Sequence, residues 1–332
     1  MAQFKTKSLR NDPAGIVQTV ELWRAGGLVA FPTETVYGLG ADACNDAAVA
    51  AIFHAKSRPA FNPLIVHVTD LKTAQRYAVF DDTALVLAQA FWPGPLSLVL
   101  PVVPNSGLSK LVSAGLETVA VRVPDHPLAQ KLLREFGGAI AAPSANLSGA
   151  ISPTTAAHVT DSLGGRIDAV IDGGTCRVGL ESTIVMHKNG QTHLLRLGGL
   201  PENALTEALG QGLSMASDTE KPTAPGQLKS HYAPNATVLM NRNSRPDHGL
   251  WLGFGAGCET ADMNLSLDGN LVTAAANLFA FLHQLDALAT AKNIRTISVA
   301  PIPNTGLGRA INDRLNRAAA ARDPQLFRMR NK

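Results

Sequence analysis

Five stretches carry side chains that could do chemistry, and none pairs a nucleophile with a base. The first runs from Phe31 through Pro32, Thr33, Glu34, Thr35, Val36 and Tyr37 to Ala43. An apolar run stops at a proline, and hydroxyls and a carboxylate follow. Open α/β folds place ligands at strand ends, so Thr33 and Thr35 suit a small polar substrate; they equally suit plain β-formers before a glycine turn. The second joins Lys56, Ser57, Arg58 and Pro59 to Asn62 and Pro63, then to Leu64–Val68 with His67 inside it. For a phosphate chain, arginine supplies a planar fork and lysine a point charge. Cations at a helix end also complement its dipole, and a lone histidine in an apolar strand also fits a satisfied core residue.

The third stretch, Glu117–Pro124, sets Arg122 between Val121 and Val123. A buried arginine needs an anion, either a substrate carboxylate or a salt bridge to Asp125 or Glu117. The fourth, Ala141–Gly149 with Ser144, Asn146 and Ser148, continues to Ser152 and Pro153. Small residues let backbone amides approach a ligand and form an anion nest. The run lacks the Gly-Lys-Ser/Thr ending of a Walker loop and the GxSxG of a nucleophile elbow. The fifth, Gly179–Val185 with Glu181, Ser182 and Thr183, precedes Leu194–Leu197, where Arg196 interrupts an apolar run before Gly198 and Gly199. Together these features suit binding a polyanion and orienting a reaction more than covalent catalysis.

The elements that must position them alternate between helix and strand. Leu28–Phe31, Leu64–Val68, Leu96–Val102, Val119–Val123, Ala139–Ala142, Ala169–Ile171, Thr183–Met186 and Leu194–Leu197 read as strands. Ile16–Arg24, a segment capped by Asn45 or Asp46 and running through His54, Thr83–Ala90, Pro127–Phe136 and Thr154–Leu163 read as helices. Residues Leu213–Pro234 are rich in Pro, Ser and Thr, the composition of a linker, but long enough for a lid. Beyond them Val238–Met240, Leu250–Phe254 and Thr296–Ala300 read as strands, and Leu271–Ala289 and Gly308–Arg322 as helices. We expect an α/β protein: a twisted mixed sheet with helices over residues 13–200, a linker or lid over 201–236, and a smaller Rossmann-like open α/β unit over 237–332.

The 332 residues favour two domains, and 45% apolar residues give each a core. With only 17% charged residues and a net charge of +3, an anionic substrate fits and nucleic acid is not required. Cys44, Cys176 and Cys258 are scattered without a CxxC, which argues against a disulfide framework or cysteine-rich zinc site and for a reducing, cytoplasmic setting. The N-terminus has no apolar run behind its basic residues, and no segment approaches about 18 uninterrupted apolar residues, so neither a secretory signal nor a membrane span is expected.

The motifs PTETVYGLG (32–40), KSR (56–58) with NPLIVHV (62–68), VAVRVP (119–124), APSANLSG (142–149) and ESTIV (181–185), in this order and spacing, resemble the YrdC-like threonylcarbamoyl-AMP synthases. The likeness covers about residues 13–200. The linker PGQLKSHYAP (225–234) and the C-terminal unit resemble the two-domain branch, the latter more loosely. The resemblance implies a nucleotidyltransferase that joins L-threonine, bicarbonate and ATP, the last with Mg2+, into threonylcarbamoyl-AMP and pyrophosphate. Its product would serve the tRNA threonylcarbamoyl transferase machinery that modifies adenosine beside the anticodon. By matched position, Thr35, His67, Arg122, Ser182 and the backbone of Ala142 would contact threonine. Lys56, Arg58, Asn62, Thr118, Ser144, Ser152, Arg196 and, from the linker, Tyr232 would hold ATP. Lys56 and Arg58 would stabilise developing phosphate charge, and Arg122 would clamp the threonine carboxylate; no residue is expected to ligate a metal directly.

Three other readings compete. A carbamoyl-adenylating hydrogenase-maturation protein shares the YrdC-like core but carries cysteine-rich zinc elements. An RNA-binding module would use Arg309, Arg314, Arg317, Arg322, Arg328, Arg330 and Lys332, set against Asp313 and Asp323 with Phe327 as the one nearby aromatic; such a run is also a common solvated helix face. A dinucleotide site at Gly253–Gly257 lacks the full GxGxxG spacing and a following helix start.

Overall fold

The apolar runs between glycine and proline become short, buried strands. The computed structural model describes residues 5–215, 224 and 230–321. The first unit contains β1 (Lys7–Arg10), α1 (Pro13–Arg24), β2 (Val29–Phe31), β3 (Gly38–Asp42), α2 (Asp46–Lys56), β4 (Ile65–His67), α3 (Leu71–Ala74) and α4 (Asp82–Phe91). It continues with β5 (Leu96–Pro101), β6 (Thr118–Arg122), α5 (Pro127–Phe136), β7 (Ile140–Ala141), α6 (Ala156–Leu163), β8 (Ala169–Asp172), β9 (Thr183–Lys188), β10 (Gln191–Arg196), α7 (Glu202–Leu209) and β11 (Ser214–Met215). The strands form one mixed sheet in the order β1-β8-β2-β3-β7-β4-β6-β5-β9-β10-β11.

Local chemistry explains the helix starts. Asp12 accepts from the Gly15 amide and Pro13 opens α1, while Asn45 accepts from the Ala47 and Ala48 amides ahead of α2. At the other end of α2, Ser57 adopts a left-handed conformation and closes the helix directly after Lys56.

The expected mixed α/β class holds, and the expected strands appear with ends shifted by a few residues. Strand β3 is new relative to the sequence reading, because Gly38 and Gly40 read as a turn. Gly40 is required by packing: a Cβ there would sit 2.8 Å from the Trp23 ring and 2.9 Å from Phe31. The short β1, β11 and the helices α3 and α7 also escaped the sequence reading.

The second unit holds β12 (Thr237–Leu239), β13 (Leu250–Gly253), β14 (Met263–Asn264), α8 (Leu271–Ala291), β15 (Thr296–Val299) and α9 (Leu307–Ala319). Its four strands form a parallel sheet in the order β12-β15-β13-β14. Helix α8 is long and apolar enough, by length and composition, to cross a membrane; here Leu278, Phe279, Leu282 and Leu285 are buried in the core of this unit. That core takes in Val36, Ile151, Leu180 and Tyr232 as well, so apolar packing is continuous between the units. Gly179 allows a close approach, since a Cβ on it would lie 2.3 Å from the Ala275 carbonyl oxygen of α8. Much of the expected linker, residues 216–223 and 225–229, lies outside the described residues, as do Arg322 and the rest of the chain to Lys332.

Candidate active site

Strand pairing brings the separate motifs to one place. The parallel β4 and β6 set His67 opposite Arg122. β5 lies parallel to β9, and the Ser97 and Ser182 hydroxyls meet at 2.8 Å. A bulge in β10 between Leu194 and Arg196 pairs Arg196 with Ile184, and a bridge ties Gly38 to Ser144. The result is one shared cavity, lined from β3, β4, β6 and β10 and from the loops beside them. Of the residues expected from sequence, Thr35, Arg58, His67, Arg122, Ala142, Ser144, Ser182, Arg196 and Tyr232 line it.

Each cation is braced by backbone oxygens. Arg58 donates Nε to Asn62 O at 3.0 Å and Nη2 to Pro63 O at 2.7 Å. Arg196 donates Nε and Nη2 to Ser182 O at 3.0 and 2.8 Å, and Nη2 also reaches Ser182 Oγ at 3.0 Å. Arg122 donates Nε to Gly94 O at 3.3 Å, and its Nη2 lies 2.7 Å from Glu34 Oε1. That contact is an ion pair without an aligned N–H bond, since neither atom has a hydrogen-bond partner. The sequence had offered Asp125 or Glu117 as the salt-bridge partner of Arg122. Glu34 takes that place, because the β2–β3 connection lies against β6, while Asp125 pairs with Arg177 at the surface.

The remaining expected residues stand behind the lining or apart from it. Lys56 is buried and donates Nζ to the carbonyls of Ser144 and Asn146, so its ammonium holds the small-residue loop in shape. Asn62 offers its carbonyl to Arg58, and its buried side-chain amide has no partner. Ser152 donates Oγ to Glu181 Oε1. Thr118 is half-buried at the far end of β6 from Arg122, opposite Pro101, and does not reach the cavity lining.

Burial and crowding leave these cations short of counter-charge. Burial, then Arg58, pushes the Lys56 ammonium well below its ordinary value. Burial and Arg196 lower Arg58 to about 9; Arg196 falls to about 10, chiefly through burial. Arginine keeps its proton in proteins, so the downward push expresses a charge that an anionic ligand would relieve. His67 is pushed down to about 3 by burial and by Arg122, and is neutral at physiological pH with an unpartnered Nδ1. The arrangement can therefore grip an anion with fixed charge, but it offers no activated nucleophile.

Four participants escaped the sequence reading as site residues: Glu34, Glu181, His231 and Arg314. Glu181 lines the cavity, and burial favours its neutral form, but Arg314 and Arg196 outweigh that and hold it at about 2. His231 also lines the cavity, its ring centroid 4.1 Å from that of Tyr232. Arg314 was counted within a basic tail, yet it falls in the buried stripe Ile311, Arg314, Leu315, Ala318 of α9. An arginine at core spacing was the available signal. Arg309 pairs with Glu202 and Arg317 with Asp313, so the described part of the tail is largely neutralised. Arg322, Asp323, Phe327, Arg328, Arg330 and Lys332 lie outside the described residues. Gly253 ends β13, and the next helix starts only at Leu271, so no helix N-terminus follows the Gly253–Gly257 run.

A family model described as "Telomere recombination" matches residues 21–198, and a second, described as "Threonylcarbamoyl-AMP synthase, C-terminal domain", matches residues 200–320. A threonylcarbamoyl-AMP synthase of Bacillus subtilis is 43% identical over 335 aligned positions that cover 94% of each chain. One from Pyrococcus abyssi is 40% identical, covering 90% of this chain and 92% of its own. The crystal structure of Pyrococcus abyssi Sua5 complexed with L-threonine matches with a TM-score of 0.85 at 36% identity, over 95% of this chain and 97% of that one.

Proposed function

The chain belongs to the threonylcarbamoyl-AMP synthase family, and from that premise we propose that its cavity joins L-threonine, bicarbonate and ATP into threonylcarbamoyl-AMP and pyrophosphate. The supporting observation is the convergence of Arg58, Arg122 and Arg196, from three separate parts of the chain, on one hollow that also holds Thr35, His67 and Ser182.

The steps follow from the chemistry of the reactants. The threonine amine adds to the carbon of bicarbonate-derived CO2 and loses a proton, which gives a carbamate. A carbamate oxygen attacks the α-phosphorus of ATP, the bond to the β-phosphate oxygen breaks, and pyrophosphate leaves. The protein's task is to hold reactants in line and to stabilise charge. Arg122 clamps the threonine carboxylate, with Thr35, His67, Ser182 and the Ala142 backbone beside it. Arg58 and Arg196 face the phosphates, with Ser144, Asn62 and Ser152 on the nucleotide side. Arg58 Nη1 carries no other bond among the described residues, which suits it to a phosphate oxygen. Lys56 contributes by fixing the loop that carries Ser144. Thr118 belongs to this set only if its end of β6 approaches the nucleotide on binding.

Among the described residues no three of His, Cys, Asp and Glu are grouped to hold a metal ion, and Glu34 and Glu181 each face an arginine. Magnesium enters as part of the MgATP substrate, held through phosphate oxygens and water. His231 and Tyr232, which line the cavity from the linker, cover the short-lived carbamate. On this reading the catalytic unit takes in β1 ahead of the expected 13–200 span and α7 and β11 after it, and the C-terminal unit spans 237–332. The product passes to a transferase that acts on tRNA adenosine, in a reducing cytoplasmic setting that suits three free thiols.

The test is pyrophosphate release from ATP with L-threonine and bicarbonate omitted in turn. Release should require both. Release that persists without either one refutes the assigned reaction.

A further inference from the structure

The reading above leaves the second unit without a task. We propose that Arg314, on its last helix, is a positioning residue for the nucleotide half of the reaction. It locks Glu181 and Tyr232 in place and so makes the docked second unit part of the working site. This inference rests on the cavity being the ATP site.

Arg314 is fully buried and spends its whole guanidinium on fixed partners. Nε donates to Glu181 Oε2 at 2.8 Å, Nη2 to Leu197 O at 2.8 Å and Nη1 to Asp313 Oδ2 at 2.6 Å. Glu181 and Leu197 belong to the first unit, so the side chain bridges the two. The second oxygen of Glu181 accepts from Ser152 Oγ, which ties Arg314 to the expected ATP side of the cavity. Its Cζ also lies 5.1 Å from the centroid of the Tyr232 ring, within cation–π range.

Tyr232 needs such support. Its φ of 61° lies in the left-handed region that bulky residues avoid, and such a conformation persists only where its surroundings enforce it. The ring stacks on Phe279 of α8 at 5.4 Å and faces Arg314 of α9. Both walls therefore come from the second unit, while Tyr232 itself lines the cavity. Arg314 does not line it, which makes its role one of position and not of contact with substrate.

Docking alone does not account for this residue. Arg309 pairs with Glu202, and His283 approaches the Ser152 carbonyl at 3.2 Å while stacking on His158 at 4.0 Å. Those contacts join the units without Arg314. The planar fork is what three partners in three directions require, and lysine cannot reproduce it.

The experiment uses the full chain and two readouts, pyrophosphate release and ATP binding by calorimetry. In Arg314→Lys, which keeps the charge, the KM and Kd for ATP should rise about tenfold or more, with the KM for L-threonine within twofold of wild type. Glu181→Gln should give the same ATP-selective rise, and the double variant should be no worse than the poorer single one. Glu202→Ala with Arg309→Ala, which weakens docking away from the cavity, should leave both constants unchanged. Wild-type ATP affinity in Arg314→Lys overturns the proposal. So does a rise shared equally by ATP and L-threonine, or the same rise in the docking control. Pyrophosphate release that ignores L-threonine refutes the assigned reaction instead, and calorimetry separates the two because it needs no turnover.

Discussion

Replacing Arg122 by methionine should damage stability and L-threonine binding by separable routes. The residue is 3% exposed and its partner Glu34 is 0% exposed. Glu34 has no aligned hydrogen bond of its own, so Arg122 is its main compensation. Removing one member of a buried pair strands the other charge, at a cost of about 3–5 kcal/mol. Substrate binding suffers independently. If the guanidinium makes two charge-assisted bonds to the threonine carboxylate at about 1.5–3 kcal/mol each, affinity falls about 100-fold or more. The double variant Glu34→Gln with Arg122→Met separates the routes. It should recover about 2 kcal/mol or more of the lost stability, because the stranded charge is gone, yet bind L-threonine no better than Arg122→Met. Urea unfolding and titration calorimetry measure the two quantities. Wild-type threonine affinity in Arg122→Met refutes the clamp; a double variant as unstable as the single one refutes the stranded-charge account.

Three further perturbations test other parts of the structure. Lys56→Met removes the bonds to the Ser144 and Asn146 carbonyls and should lower turnover at saturating ATP about tenfold or more, a loss of at least ~1.4 kcal/mol; unchanged turnover defeats the loop-bracing role. His67 and His231 are held down to about 3 and His283 to about 4, burial being the main cause in each. An unfolded histidine titrates near about 6.5, so the unfolded chain binds more protons between these values. Their stability contribution is complete above about pH 6.5 and is lost as pH falls, by up to about 1.4 kcal/mol per unit for each histidine; urea midpoints that stay level from pH 7 to pH 5 contradict this. In Gly198→Ala the new Cβ would meet the Glu181 carbonyl oxygen and the Ser182–Thr183 peptide at 2.4 Å. Overpacking of that kind costs about 1–3 kcal/mol and should move Ser182 and Arg196, reducing both melting temperature and kcat/KM for ATP, whereas Gly212→Ala, with no atom within 4 Å of its Cβ, should change neither.

What was legible in the sequence follows from how far each signal reaches along the chain. Leu64–Val68 and Val119–Val123 read as strands because apolar runs bounded by proline and polar residues are local features, and His67 and Arg122 stood out as polar intrusions within them. The partner of Arg122 was not legible. Charge neighbours along the chain suggested Asp125 or Glu117, but burial selects partners across the sheet, and Glu34 sits there. The task of Lys56 was partly hidden for the same reason: the carbonyls it holds belong to a loop far along the chain. Strand β3 hid behind Gly38 and Gly40, whose lack of a side chain serves close packing, Gly40 under Trp23 and Phe31 and Gly38 against Ala142, and only resembles a turn. Arg314 was visible to a periodicity count, since Ile311, Leu315 and Ala318 put it on a buried stripe, and was missed because its charge was summed with its neighbours.

The charge distribution ties these points together. Lys56, Arg58, Arg122, Arg196 and Arg314 surround or support the cavity, against Glu34, Glu181 and, behind Arg314, Asp313, an excess of two formal positive charges (5 − 3). Five cations against three carboxylates make this buried place attractive to a polyanion. Each of the five cations is also held by a backbone carbonyl, from Ser144, Asn62, Gly94, Ser182 or Leu197. The field is therefore fixed before substrate arrives and needs no reorganisation as charge develops on the phosphates. A buried array of this kind is costly to fold without an anion, and that cost explains why two carboxylates remain inside. Glu34 and Glu181 hold the array together between turnovers while leaving enough uncompensated charge to draw a triphosphate in.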